Sequence, residues 1–434
     1  MVSASRVQDH LCRFLDASPT AWHATSTMTD QLSQAGYQAL DERSAWTLSP
    51  GGRYMVTRND TALIAFQLPE KPLEGFSMMG AHTDSPCLRL KANPLIQSDD
   101  WLQLGIEVYG GALLAPWFDR DLGLAGRVHV RRPDQTIEGI LINTRKPIAV
   151  IPSLAIHMDR EANKNRTFNA QTQMSPVLWQ VGEGRTLDDL IRELLRVQGE
   201  GDIECVLGHE LCLYDTQPAA CIGWDGELVA SARLDNLLSC FCATQALCEA
   251  SPDQAVLLVA NDHEEVGSGS ASGAEGSFLR DVLSRINESA VGEGGSEGWV
   301  RMIQRSFMVS CDNAHALHPN YPEKHDGNHG PKINGGPVIK VNANQRYATN
   351  SQTQALFRTA CAMAEVPVQE FVTRADMGCG STIGPITATA LGIPVIDVGL
   401  PQWAMHSIRE TAGAHDPEYL IRALVAFFAA VNDR

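Results

Sequence analysis

Two adjacent glutamates, Glu264 and Glu265, stand in the stretch Asn261-Asp262-His263-Glu264-Glu265-Val266-Gly267-Ser268. The stretch follows an apolar run, Ala255-Val256-Leu257-Leu258-Val259-Ala260, that reads as a buried strand. Neighbouring carboxylates at a strand end repel each other unless a positive charge lies close. A metal ion removes the conflict. One glutamate then ligates it, while the other takes a proton from the water it activates. An isolated Glu-Glu is ordinarily a solvated acidic turn, so the argument rests on its companions.

Four other runs end in groups of the same chemistry. Phe76-Ser77-Met78-Met79-Gly80-Ala81 leads into His82-Thr83-Asp84, where the aspartate can orient the imidazole. Glu227 to Leu234 leads to Asp235-Asn236, and Ser306 to Cys311 leads to Asp312-Asn313-Ala314-His315. Ile393 to Gly399 leads to His406. His82, Asp235, Glu265, Asp312 and His406 are therefore expected just beyond five strand ends. Open α/β sheets build their sites outside the carboxyl ends of strands, so these residues should meet in one cleft. Imidazole and carboxylate without thiolate suit zinc, cobalt or manganese. Five ligands with one shared carboxylate are what two metals about 3.5–4 Å apart require.

The elements that must position these groups follow from the pattern. Val7 to Leu15 and Thr20 to Gln34 read as helices, the second closed by Gly36. Tyr54 to Arg58 and Ala62 to Phe66 read as a strand pair about Asn59-Asp60. From Ala92 to Asp225 the texture becomes short alternating segments, with one helix at Leu187 to Val197 capped by Thr186. The polar stretch after Ile156-His157-Met158-Asp159 should be an exposed or interfacial loop. Beyond it, strand, polar loop and helix alternate, with a helix from Leu237 to about Glu249 after Asp235-Asn236, up to a closing helix at Glu418 to Val431. Ala290 to Glu297 is expected to be a mobile loop.

Composition sets outer limits. The chain has 434 residues, 44% hydrophobic and 20% charged, which is ordinary for a globular protein with a large core. Its formal net charge of -17 argues against nucleic acid and anionic membranes as partners. No apolar run approaches a membrane span, and the N-terminal pattern is not that of a secretory signal, so a cytoplasmic location is expected. The 11 cysteines are scattered, and most of them read as reduced core residues. Cys240-Phe241-Cys242 lacks a second pair, which argues against a zinc-thiolate site.

Several motifs together resemble the aspartyl aminopeptidase family of dinuclear zinc exopeptidases. They are His82-Thr83-Asp84, Ser231-Ala232-Arg233-Leu234-Asp235-Asn236, Asp262 to Ser268, Asp312 to His315 and Met405-His406-Ser407-Ile408-Arg409-Glu410. Two longer signatures join them, Gly336 to Asn342 continuing through Gln345 to Asn350, and Asp376 to Pro385. The resemblance implies an α/β fold: a mixed-sheet phosphorylase/hydrolase-like catalytic domain with helices on both faces, plus an inserted mostly β dimerisation domain. The catalytic part would be 1–91 with 226–434, and the insertion 92–225. It also implies Asp235 as the bridging ligand of two divalent ions, Zn2+ or else Co2+ or Mn2+. His82 and Asp312 would complete one site, and Glu265 and His406 the other. Glu264 would be the general base and Asp84 the partner of His82. Dimers would build a homo-dodecamer, with His157 reaching a neighbouring active site.

The substrates so implied are small peptides with an unblocked N-terminal Asp or Glu. Lys340 sits in the apolar strand Val338-Ile339-Lys340-Val341, and a buried ammonium needs an anion. From the strand alone it could equally snorkel at an edge. The resemblance has Lys340 and Tyr347 hold the substrate's side-chain carboxylate. His315 and His318 could touch substrate or shape their loop, His315 being favoured; His325 and His329 read as structural. The competing readings are an aminopeptidase of neutral or broad preference, a deacylase on the same scaffold, and an inactive metal-stabilised scaffold or cargo protein.

Overall fold

The structure is a computed structural model that describes residues 4–181, 186–289 and 291–432. It divides into two compact units, one of Met1–Asp84, Ala219–Met405 and Glu410–Arg434, the other of Ser85–Pro218 and His406–Arg409. The first unit is built on a nine-stranded mixed sheet. At its centre Val256–Asn261, Ser77–His82, Phe307–Cys311 and Val395–Gly399 lie parallel to one another. Antiparallel strands Ala62–Gln67 and Arg53–Arg58 extend one side, and Val338–Val341 with Gln369–Val372 the other.

Successive side chains of a strand face opposite ways, and the two cores sort accordingly. Val256, Leu258 and Ala260 pack with Leu11, Phe14, Met28, Phe241, Phe357 and Phe427 from five helices on one face. Leu257 and Val259 pack with Phe278, Val282, Met302 and Ile383 from helices on the other. Helices thus cover both faces, and the inner strands read as unbroken apolar runs for that reason. A five-stranded sheet also belongs to this unit, in the order Ala220–Ile222, Leu228–Ser231, Glu410–Gly413, Pro401–Trp403, Ala314–His315.

The second unit is a six-stranded antiparallel sheet with its own core, which includes Leu124, Leu211 and Leu195. Its helix Leu187–Val197 carries a capping box between Thr186 and Asp189. Its boundaries lie seven residues before those the sequence texture suggests. Cys87–Ser98 already pairs within the six-stranded sheet, whereas Ala220–Ile222 pairs with Leu228–Ser231 in the first unit.

Three local expectations change. Helix Gly295–Arg305 takes in the last three residues of the Gly- and Glu-rich stretch expected to be a mobile loop, Ala290 lying outside the described residues. Met302 and Ile303 on its buried face supply the reason. The helix expected from Leu237 extends back over Leu234–Cys248, with non-helical backbone at Asp235 and Asn236. Finally, the strand before Asp235 belongs to the five-stranded sheet, pairing with Glu410–Gly413, not to the central one.

Candidate metal centre

Three of the predicted groups leave adjacent parallel strands at their carboxyl ends. His82 closes its strand in register with Asn261, three residues before Glu264, and Asp312 follows Cys311. Asp235 arrives from the five-stranded sheet. Its loop is stitched to that of Asp312 by two asparagines. Asn236 Nδ2 donates to the Cys311 carbonyl at 2.8 Å, and Asn313 Nδ2 donates to the Leu234 carbonyl at 2.8 Å. Buried Glu410 accepts the Asp235 N–H at 3.0 Å. Sequence reasoning quoted Asn236, Asn313 and Glu410 within motifs but gave them no role; their neighbours in sequence were the only signal.

The imidazole of His82 is the hub. Its Nδ1 meets the Asp84 carbonyl at 3.1 Å and the Asp84 carboxylate at 3.3 Å, so the ring proton belongs on that nitrogen. Nε2 then points its lone pair at carboxylates: Asp235 Oδ1 at 3.4 Å, Asp312 Oδ1 at 3.6 Å and Glu264 Oε2 at 3.9 Å. Ligand atoms of His82, Asp235 and Asp312 fall within 4.8 Å of one another, as do those of His82, Glu264 and Glu265. A lone pair facing several carboxylates in a buried place is repulsive until something positive enters. A divalent cation with nitrogen and oxygen ligands satisfies that demand, and the donor set fits zinc.

Asp84 does more than orient His82. Its two carboxylate oxygens accept the backbone N–H groups of Glu264 and Glu265, each at 3.1 Å. One buried side chain thereby fixes the imidazole and both glutamates relative to one another.

The electrostatics reflect the crowding of negative charge. Burial disfavours a charged His82, but Asp235, Asp312 and Asp84 together outweigh it and raise its pKa well above the ordinary value. Burial, reinforced by Asp312 and Asp235, pushes the Glu264 carboxyl up to about 7. Burial, and then Asp235, also raises Glu265 well above the ordinary carboxylate value.

Lys340 is 2% exposed, so it does not snorkel. Its strand lies inside the sheet, between Val395–Gly399 and Gln369–Val372. Its ammonium donates to Asp312 Oδ2 at 3.1 Å and to the Asn313 carbonyl at 3.2 Å, and sits 5.1 Å from the Tyr347 ring centroid. Tyr347 and His315 line a cavity of about 280 Å³ together with Phe371, Met377, Cys379 and Trp403. His315 is exposed there, yet surrounding protein and then Lys340 lower its pKa.

His318, read as touching substrate or shaping its loop, and His325, read as structural, line the same cavity, and His325 Nε2 accepts the His318 N–H. His329 pairs with Asp326 instead. Within the second unit, His406 Nδ1 lies 3.2 Å from the Gly111 carbonyl, and His157 is exposed in a turn.

Residues 14–428 match the family described as "Aminopeptidase I zinc metalloprotease (M18)". The chain is 55% identical over 424 residues to the "Probable M18 family aminopeptidase 2" of Ectopseudomonas mendocina, covering 97% of each. Among solved structures, that of the Ape4 and Nbr1 complex aligns with a TM-score of 0.94 at 39% identity, covering 98% of this chain and 86% of that one. The S. cerevisiae mApe1 dodecamer aligns with a TM-score of 0.86 at 25% identity, covering 98% of each chain.

Proposed function

The chain belongs to the aminopeptidase I zinc metalloprotease (M18) family, and we propose that within it the chain is a two-metal aminopeptidase that removes an unblocked N-terminal Asp or Glu from small peptides. The observation that carries the reading is the convergence of Asp235, Asp312 and Glu264 on the Nε2 side of His82. His82, Asp235 and Asp312 would hold one ion, and Asp235, Glu265 and His406 the other. Bound there, divalent ions supply Lewis acidity that makes water acidic and a peptide carbonyl electrophilic.

The chain's own groups do the rest. Glu264 takes a proton from the attacking water and hands it to the departing amine. Asp84 keeps the His82 proton on Nδ1 and fixes where Glu264 stands. The acidic surroundings favour a free α-ammonium, which selects for peptide N-termini. His315 borders the space where the first residue would lie, and His157 from a neighbouring copy would close it and steady developing negative charge.

Lys340 is assigned the substrate carboxylate. An ammonium has three N–H groups, and the two acceptors beside it are Asp312 and Asn313. The third is available to an acidic side chain, with Tyr347 forming the wall. In a chain of net charge -17 such a buried cation is the local counterweight an acidic substrate needs. A dimer-based dodecamer and a cytoplasmic site of action belong to the same reading. The dodecameric neighbour supports the first. Eleven free cysteines support the second. Among the described residues no helix is long and apolar enough to cross a membrane.

The test is metal analysis of the purified protein beside a panel of dipeptides with N-terminal Asp, Glu, Leu and Ala, with and without chelator. Two equivalents of metal, chelator-sensitive turnover and preference for Asp and Glu are expected. Preference for Leu or Ala would leave the peptidase and remove the acidic specificity. No turnover on any member would favour the inactive scaffold.

A further inference from the structure

A pair of thiols outside the metal centre has no part in peptide hydrolysis. Cys12 lies on helix Ala4–Ala17, one turn before Asp16. Asp16 Oδ1 accepts the N–H of Ala219 at 2.8 Å. Two residues beyond Ala219, in the edge strand Ala220–Ile222, stands Cys221. Four residues of helix advance about 6 Å, and two residues of strand about 6.6 Å. The two ladders therefore match, and the rung beside Asp16–Ala219 is Cys12–Cys221.

Cross-strand pairing fixes which way Cys221 faces. It is opposite Val229, which is fully buried in the core formed with Leu11, Phe14 and Leu15 of the same helix. Directly opposed residues share a sheet face, so Cys221 shares the face turned toward the helix. Cys221 stands near enough to the Cys12 thiol to raise its pKa. Beyond Val229 the chain reaches Arg233, whose guanidinium donates to the Ser18 and Leu15 carbonyls. The spacing of helix and hairpin is thus held by two anchors at the C-terminal end of the helix, next to the thiols.

We infer that Cys12 and Cys221 form a redox-responsive dithiol that closes to a disulfide when the protein meets a peroxide. Cys221 is exposed and Cys12 half-buried, so the oxidant reaches Cys221 first. Hydrogen peroxide converts the Cys221 thiol to a sulfenic acid and releases one water. The Cys12 sulfur then displaces the hydroxyl from Cys221 sulfur, forming the S–S bond and a second water. The two thiols lose two electrons and two protons, and the peroxide is reduced by the same two electrons. Burial, then Cys221 and Asp16, push the Cys12 thiol up to about 12, which keeps it protonated and slows closure. The pair would answer sustained oxidation and not a brief pulse. The bond would tie the first helix to the hairpin that leads to Asp235, closing a loop of about 200 residues.

The test uses the full-length reduced protein, treated with hydrogen peroxide and digested without reduction. A peptide joining Cys12 to Cys221 is expected, absent before treatment and removed by dithiothreitol. Unfolding should shift upward by several degrees in the oxidised protein, and C12S and C221S should lose that shift. Over-oxidation of Cys221 to sulfinic or sulfonic acid without the linked peptide would overturn the inference. So would pairing of Cys221 with any other cysteine or between chains. Mapping on the unsubstituted protein decides the matter even if a variant fails to fold, and it needs no peptidase assay.

Discussion

Replacing Glu264 by glutamine would keep the shape of the side chain and remove its ability to accept a proton. The variant E264Q should fold and retain metal, yet turn over an N-terminal aspartyl peptide at least about 10³-fold more slowly. Near-normal turnover would remove the base assignment. Asp84 acts through others, so D84N should behave differently. Loss of its contacts to His82 and the two backbone N–H groups should weaken metal affinity about 10–100-fold, read by competition with a chromophoric chelator. Unchanged affinity would reduce Asp84 to a packing role. For Lys340, K340M should depress Asp-X cleavage far more than Leu-X or Ala-X cleavage. The contact with Asp312 sets a competing outcome: if the ammonium serves only to steady that carboxylate, all substrates suffer alike.

At the scale of elements, the sequence displayed what has a period and hid what depends on partners. The apolar runs before His82, Glu264 and Asp312 were legible because parallel strands covered on both faces are apolar throughout. The five-stranded sheet was not, since Leu228–Ser231 and Pro401–Trp403 are too short to show alternation. The same limit applies to the stitching by Asn236 and Asn313, which joins loops 77 positions apart in sequence.

Gly399 shows how tightly one strand end is fitted to the centre. A Cβ there would overlap the Asp312 carbonyl oxygen and lie 2.8 Å from the Ala314 nitrogen. G399A should cost about 1–3 kcal/mol in urea unfolding and weaken metal binding, whereas a neutral result would mean the Asp312 loop gives way freely. Asp416, at the start of helix Asp416–Asn432, is buried and accepts the N–H groups of Asn334 and Gly336. Burial pushes its carboxyl up to about 7. A raised acid pKa means the folded state holds the proton more tightly than the unfolded chain. That stability is full below about pH 4 and declines as pH rises to about 7. D416N should lack this slope between pH 5 and 7.5, and identical slopes in both proteins would exclude it.

For the whole molecule, the measurable consequences are mass and metal. Light scattering should return about twelve times the 47.2 kDa of one chain, and a monomer at working concentration would refute the assembly. Exhaustive chelation should abolish turnover and added Zn2+ restore it. The order of the ligands along the chain has a further effect, which concerns biosynthesis. His82, Asp235 and Asp312 leave the ribosome far apart in time, and their cluster cannot exist until more than two thirds of the polypeptide has been made. A growing copy is therefore inert toward other nascent peptides. The centre can form only once synthesis has passed Asp312.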